Sequence, residues 1–257
     1  MSSRDAGTKA VARALTVLEL FDERTERLTP TEVAAALGVH RSTASRVLAT
    51  LAHHRLVEAD REAGGYVLGL GLVSLAGHVF NRFPVWAVGR SIVRELRNAT
   101  GETAWLGILD GDEVVYIDQA SSPHVRVRAD WVGRRQTLTA AVTGAVLLAF
   151  QDTEVIEELM RAGRSDGEPA AQSLHASELA TIRASGQLAR YEDPTSGHAV
   201  VAAPVRDHRG TVVAALSLSG LRDRIDLARF DDELIPATRR AATRISEELG
   251  HAGANRS

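Results

Sequence analysis

Residues 28–68 read LTPTEVAAALGVHRSTASRVLATLAHHRLVEADREAGGYVL, and the order of signals in this stretch decides the N-terminal fold. Thr29 precedes Pro30 and stands three residues before Glu32, so a T-x-x-E capping box opens a helix with proline at its first position. Val33 and Leu37 lie four apart on one edge of that helix, and Gly38 is a natural stop and turn. A second helix follows through HRSTASRVLATLAHH, residues 40–54. At about 100° per residue, Ala44, Val47, Leu48 and Leu51 form its apolar stripe, with Ser42, Ser45, Arg46 and Ala49 opposite. Residues 56–58 and 66–68 then pair as a hairpin around Ala63, Gly64 and Gly65. Two helices, a tight turn and a small hairpin are the layout of a winged helix-turn-helix, which lays its second helix in the DNA major groove.

The polar face of that second helix carries the chemistry. Arg41 and Arg46 have the reach for phosphate or guanine, and Ser42, Thr43 and Ser45 bring hydroxyls for phosphate or base edges. Thr31 and His40 complete the candidate DNA-contacting set. A merely solvated face also tolerates two arginines; the capping box, glycine turn and hairpin arriving together argue against that plainer account. His53 and His54 end the helix, where positive charge suits the dipole, and a metal role is the weaker reading. Upstream, residues 9–22 place Val11, Leu15, Leu18 and Phe21 at helical spacing, as a first packing helix should.

With 257 residues the chain has room for two domains that each bury a core. No apolar run approaches the roughly 18 residues of a membrane span, and no signal-peptide pattern opens the chain. The absence of cysteine excludes disulfides, thiol catalysis and cysteine-bound zinc. The expectation is a cytoplasmic protein with no membrane partner, metal or cofactor. Net charge is −3 and the first 80 residues are close to neutral, so bulk basicity does not supply DNA affinity. Local charge placement and dimerisation on two half-sites must do so.

Residues 72–99 are again helical in pattern, interrupted by Phe83 and Pro84 as a hinge between domains is. The period then changes to two. GETAWLGILDGDEVVYID, residues 101–118, reads as two strands around Asp110, Gly111 and Asp112, and HVRVRAD, residues 124–130, as a half-exposed strand. Helices are expected over 140–150, 153–162 and 177–184. HAVVAAPVRDHRGTVVAALSLSG, residues 198–220, is a hairpin turning at 207–210. A final helix over 231–249 sets Leu234, Ala237, Ala241, Ile245 and Leu249 on one side. An antiparallel sheet flanked by helices that do not alternate with the strands argues an α+β fold. The expected division is a DNA-binding domain over 8–71, a linker helix over 72–86 and a second domain over 87–252. No H-E-x-x-H, nucleophile elbow or Walker motif is present, and adjacent Glu192 and Asp193 point apart on extended chain, so no enzyme is expected.

RALTVLELF (13–21), LTPTEVAAALGVHRSTASRVLATL (28–51) and YVLGLGLVSLA (66–76) resemble the IclR family of bacterial transcriptional regulators. GRRQTLTAAVTGAVLLA (133–149), AAPVRDHRGTVVAALSLSG (202–220) and ISEELG (245–250) extend the resemblance over nearly the whole chain. It implies a GAF- or profilin-like effector-binding domain that senses a small organic ligand, commonly a carboxylate or an aromatic metabolite. The implied pocket residues are Val142, Thr143, Gly144, Val200, Ser217 and Ser219, with Trp105 at a further variable position. It also implies homodimers through the DNA-binding domains and linker helix, tetramers as dimers of dimers, and repression more often than activation. An activator of a catabolic operon and a protein-interaction module without DNA binding are the alternatives; Arg41 and Arg46 argue against the second.

The residues agree with that pocket without having identified it. Thr143 and Gly144 lie near a helix N-terminus, which favours an anion. Ser217 and Ser219 share one face of a strand, although serines bonded to backbone have the same pattern. Ala145 stands where the family commonly has lysine, Val200 where it often has a polar residue or cysteine, and Trp105 where histidine or a small polar residue is frequent. These departures imply a more apolar or aromatic-lined site than one built for a very small acid such as glyoxylate.

Overall fold

The computed structural model describes residues 3–22, 25–124, 131–162, 176–193 and 197–252. The chain divides into two units, Met1–Arg82 and Phe83–Ser257. The first contains α1 (Ser3–Glu19), α2 (Pro30–Leu37), α3 (Arg41–His53), β1 (Val57–Ala59), β2 (Tyr66–Leu68) and α4 (Gly71–Phe80). The capping box forms: the Thr29 hydroxyl accepts from the Glu32 N–H at 3.3 Å, and Glu32 Oε2 accepts from the Thr29 N–H at 2.7 Å. The Thr29 N–H, and after it the Thr29 hydroxyl, donate to that carboxylate and hold the exposed Glu32 carboxyl below its ordinary range. Gly38 ends α2 with φ 61°, and its N–H reaches the carbonyls of Ala34 and Ala35.

Val17, Leu28, Val33, Ala44, Leu48, Leu51 and Val57 form the core of this unit. The wing strands pair antiparallel with Val57 opposite Leu68, one residue later on β1 than the sequence pattern suggests. Leu28 adds an isolated antiparallel bridge to β2 through reciprocal backbone bonds to Tyr66 of 2.9 and 2.8 Å. On α1 the expected stripe is out of phase. Val11 and Leu15 are 61% and 55% exposed, whereas Val17 is fully buried and packs with Ala14, Leu18 and Phe21. The helix starts well before residue 9, and only its C-terminal half reaches the core.

The second unit contains α5 (Pro84–Thr100), β3 (Thr103–Asp110), β4 (Glu113–Ala120), β5 (Arg135–Thr137), α6 (Val142–Ala149), α7 (Thr153–Ala162), α8 (Ala176–Ser185), β6 (Leu188–Arg190), β7 (His198–Arg206) and β8 (Val212–Leu221). A 3-10 turn (Arg222–Arg224), α9 (Leu227–Arg229), a π-helical turn (Phe230–Leu234) and α10 (Ile235–Glu248) follow. The six strands form one antiparallel sheet in the order β5-β4-β3-β8-β7-β6. The mixed α+β architecture expected from the sequence is therefore present. The strand expected over 124–130 lies, beyond His124, outside the described residues.

Strand alternation gives the sheet two faces. Gly89 of α5 lies against Leu106 and Ile245, so α5 and α10 cover the face that carries Leu106 and Leu216. Helix α6 covers the other, where Trp105 pairs in register with Ser217. Every residue of α6 is buried, as a helix apolar on all sides requires. The C-terminal helix buries Phe230, Leu234, Thr238, Ala242, Ile245 and Ser246. Ala237, Ala241 and Leu249, expected on that stripe, are only half-buried. The two polar residues are tolerated there because their hydroxyls donate to the Leu234 and Ala242 carbonyls, each at 2.8 Å. Among the described residues, no helix is long and apolar enough to cross a membrane.

Gly144 sets how closely α6 approaches the preceding chain: a Cβ there would lie 2.4 Å from the Leu138 carbonyl oxygen and 2.6 Å from its Cα. Both obstacles are backbone. Gly144→Ala is expected to cost about 1–3 kcal/mol through overpacking, read as a lower denaturant midpoint at unchanged m-value. An unchanged midpoint would mean that the 138–144 segment yields freely.

Candidate functional site

Two surfaces carry the candidate residues, one in each unit. On α3, Arg41, Ser42, Arg46 and Ala49 are exposed, and Thr43 and Ser45 are half-buried. Arg41, Ser42, Ser45, Arg46 and Ala49 span about 140° of the helix circumference at about 100° per residue. Thr31 on α2 and His40 before α3 are also exposed. His40 is the N-cap: its Nδ1 accepts from the Ser42 N–H at 3.3 Å and lies 2.8 Å from the Ser42 hydroxyl. Two of the candidate contact residues thus also serve the helix itself.

In the second unit a cavity of about 290 Å³ lies between α6 and the sheet, at the N-terminal end of the helix. Val142 and Thr143 line it from α6, Trp105 from β3, Val200 from β7, and Ser217 and Ser219 from β8. The strands bring these together because Trp105 is opposite Ser217, and Thr103 and Val200 flank Ser219. The Thr143 hydroxyl donates to the Ser217 Oγ at 3.0 Å, so neither is an idle serine or threonine bonded only to its own backbone. Gly144 is the candidate that the cavity leaves out; it serves the contact with Leu138. Ala141, the N-cap of α6, offers no side-chain hydrogen bond, so the first-turn N–H groups meet no capping oxygen there.

Three aromatic rings form one wall. Tyr116 lies 6.4 Å from the Trp105 ring centroid and 5.7 Å, edge-on, from that of Trp131. Its hydroxyl donates to Gln136 Oε1 at 2.8 Å. Burial pushes the Tyr116 phenol up, against a smaller lowering from Thr143, and the Asp193 charge adds to the rise.

At the other end stands Glu102, 1% exposed. Its Oε1 accepts from Arg224 Nη2 at 3.0 Å and from Arg229 Nη1 at 3.1 Å. Arg229 also donates to the Thr100 carbonyl at 2.5 Å. Gly220 makes room for the carboxylate, since a Cβ there would lie 2.4 Å from Glu102 Oε2. Glu102, Tyr116, Trp131, Asp193, His198 and Arg224 all line the cavity and were not singled out as ligand residues from the sequence. Alternation along β3 marks Trp105, but nothing periodic marks Trp131 or Arg224, which lie outside the strands.

A helix-turn-helix joined to a second unit with a polar-ended, aromatic-walled cavity describes a two-domain regulator of transcription. Residues 10–61 match the IclR helix-turn-helix domain, and residues 77–247 match the C-terminal domain of the bacterial transcriptional regulator IclR. The chain belongs to the IclR family, whose members here are transcription regulators and not enzymes. It is 32% identical over 250 residues to the HTH-type transcriptional regulator XynR of Escherichia coli (strain K12), covering 95% of this chain and 98% of XynR. The crystal structure of an IclR transcriptional regulator from Alicyclobacillus acidocaldarius has a TM-score of 0.74 at 28% identity, covering 94% of this chain and 98% of that one. An IclR homolog from Microbacterium hydrocarbonoxydans, crystallised in complex with 4-hydroxybenzoate, shares the fold with a TM-score of 0.77 at 23% identity, over 93% and 98% of the two chains.

The Tyr116 shift has a measurable consequence. A phenol whose folded pKa is raised contributes stability that is complete below the unfolded value of about 10 and is lost as pH rises through the folded value. Spectrophotometric titration is expected to show Tyr116 ionising above the ordinary tyrosine range, and Tyr116→Phe to remove that late component. A late component that persists in Tyr116→Phe would exclude this assignment.

Proposed function

We propose that the chain is a ligand-controlled repressor that grips operator DNA with α3 and its wing, and whose grip is set by a small organic acid in the α6 cavity. The observation that carries the reading is the uncapped N-terminus of α6 facing a cavity with a Thr143–Ser217 hydroxyl pair and an aromatic wall. An uncapped helix N-terminus draws an anion, and the rings suit an apolar body. The 4-hydroxybenzoate complex of the Microbacterium protein supports an aromatic acid as ligand. Residues 8–71 then act as the DNA-binding domain, 72–86 as the linker and 87–252 as the effector domain, in the cytoplasm.

The working unit on this reading is at least a dimer. Val11 and Leu15 on α1, Leu70 before α4, and Val73, Leu75 and Val79 on α4 are all large apolar side chains at least 49% exposed. So many large apolar side chains left in water suit a partner surface. A near-neutral reading head also needs two half-sites for useful affinity, and dimers of dimers extend the same logic. The ligand acts by favouring one arrangement of the paired heads over another.

Arg46→Ala is expected to weaken operator binding by about 1–3 kcal/mol, read by gel shift on the promoter upstream of the neighbouring genes. Unchanged sequence-specific binding would remove Arg46 from the contact set. Calorimetry with benzoate, 4-hydroxybenzoate, glyoxylate and pyruvate is expected to favour the aromatic acids; binding of the two small aliphatic acids alone would contradict the aromatic-lined pocket.

A further inference from the structure

We infer that the cavity is two-ended and selects ligands that carry a carboxylate at each end of an apolar body, with Arg224 receiving the second carboxylate. This rests on the effector-cavity reading and adds to it the chemistry of the far end. One end is the α6 N-terminus, where Thr143 meets Ser217. Arg224 grips Glu102 beside Gly220, three residues further along β8. Three residues of strand are about 10 Å along the backbone, and Ser219 and its neighbours Thr103 and Val200 line the cavity within that stretch.

Arg224 is the one arginine or lysine among the described residues that lines the cavity. Its side chain is 32% exposed, against 1% for its partner Glu102. Two arginines share a single oxygen of Glu102, and they are not equivalent. Arg229 also holds the Thr100 carbonyl and lies on α9 outside the cavity lining. If Arg224 turns to a ligand carboxylate, Arg229 still neutralises the buried glutamate, so recruitment does not strand a charge. A guanidinium offers five donors in a planar fork, of which the Glu102 contact occupies few, and that fork matches a carboxylate. Glu102 itself is enclosed against Gly220 and acts as the resting partner of Arg224.

The test uses the full chain and two matched pairs, cinnamate with para-carboxycinnamate and octanoate with octanedioate, by calorimetry. The expected result is at least one diacid binding about tenfold or more tightly than its monoacid, about 1.4 kcal/mol. Arg224→Gln is expected to abolish that preference, so that diacid and monoacid bind alike, and Arg224→Lys to restore part of it. Arg229→Gln is expected instead to lower the melting temperature. Monoacid binding with no diacid preference in the wild-type chain, or a preference that survives Arg224→Gln, would overturn the two-ended site and leave the effector cavity standing. Binding by none of the four compounds would overturn both.

Discussion

Glu102 is a carboxylate shut away from water, and four stretches of chain are shaped by the need to keep it neutralised. It follows α5 directly, and Gly101, with φ 73°, turns the chain so that the side chain points inward. Arg229 ties that turn to α9 through the Thr100 carbonyl as well as the carboxylate, and Arg224 fastens the end of β8 to the same oxygen. Leaving such a charge with neither partner is far costlier than losing a surface ion pair. The anchor therefore fixes where β3 begins relative to β8. Thr103 falls opposite Ser219 and Trp105 opposite Ser217, and a slip of one residue would turn Thr103 and Trp105 away from the face that Ser217 and Ser219 share.

The two faces of the sheet are finished differently, which is why one of them has room for a ligand. On the face under α5 and α10, Gly89 lets α5 settle onto Leu106, and Leu216 and Leu218 are buried beneath. On the other, α6 is held close at Gly144 but presents its uncapped end above Ser217. A bulge between Leu106 and Gly107 adds the aromatic wall. It sets Leu106 opposite Asp118 and Gly107 opposite Tyr116, skipping Ile117. Tyr116 and Gln119 are three apart, yet both line the cavity. Simple alternation would have placed them on opposite faces.

That bulge shows where sequence reading stops. Local signals were legible because their physics is local: the Thr29–Glu32 box, the left-handed Gly38 and the two-glycine turn of the wing each depend on a handful of neighbouring atoms. Ser217 and Ser219 were legible as a same-face pair, although Thr143, the partner of Ser217, was placed through family resemblance. Phase over longer distances was not. The α1 stripe at Val11 and Leu15 is exposed because those turns extend past the core of their unit. The final helix buries Thr238 and Ala242 beside Leu234 and Ile245 in place of Ala237 and Ala241, and Thr238 is a polar residue that an apolar stripe does not select. Trp131 and Arg224 reach the cavity from outside the regular strands, where no period exists to read. The Glu102 triad joins residues more than a hundred positions apart, a pairing that composition and spacing do not encode.

The caps of the two helices in the N-terminal unit argue for the same division of roles from a different direction. Helix α2 opens with a carboxylate in its first turn, Glu32, which satisfies the Thr29 N–H. Helix α3 has no acidic residue in its first turn and is capped by the imidazole of His40. In each helix an uncharged side chain accepts a first-turn N–H, the Thr29 hydroxyl in α2 and the His40 ring in α3, and only α2 adds a carboxylate. They differ in charge. A carboxylate at the start of α3 would set a negative group beside Arg41 and against any phosphate approaching that end, cancelling the attraction of the helix dipole. A neutral acceptor supplies the hydrogen bond and leaves the positive end intact. The helix that carries Arg41 and Arg46 is thus the one whose cap costs nothing in positive potential, as a helix meeting a polyanion requires.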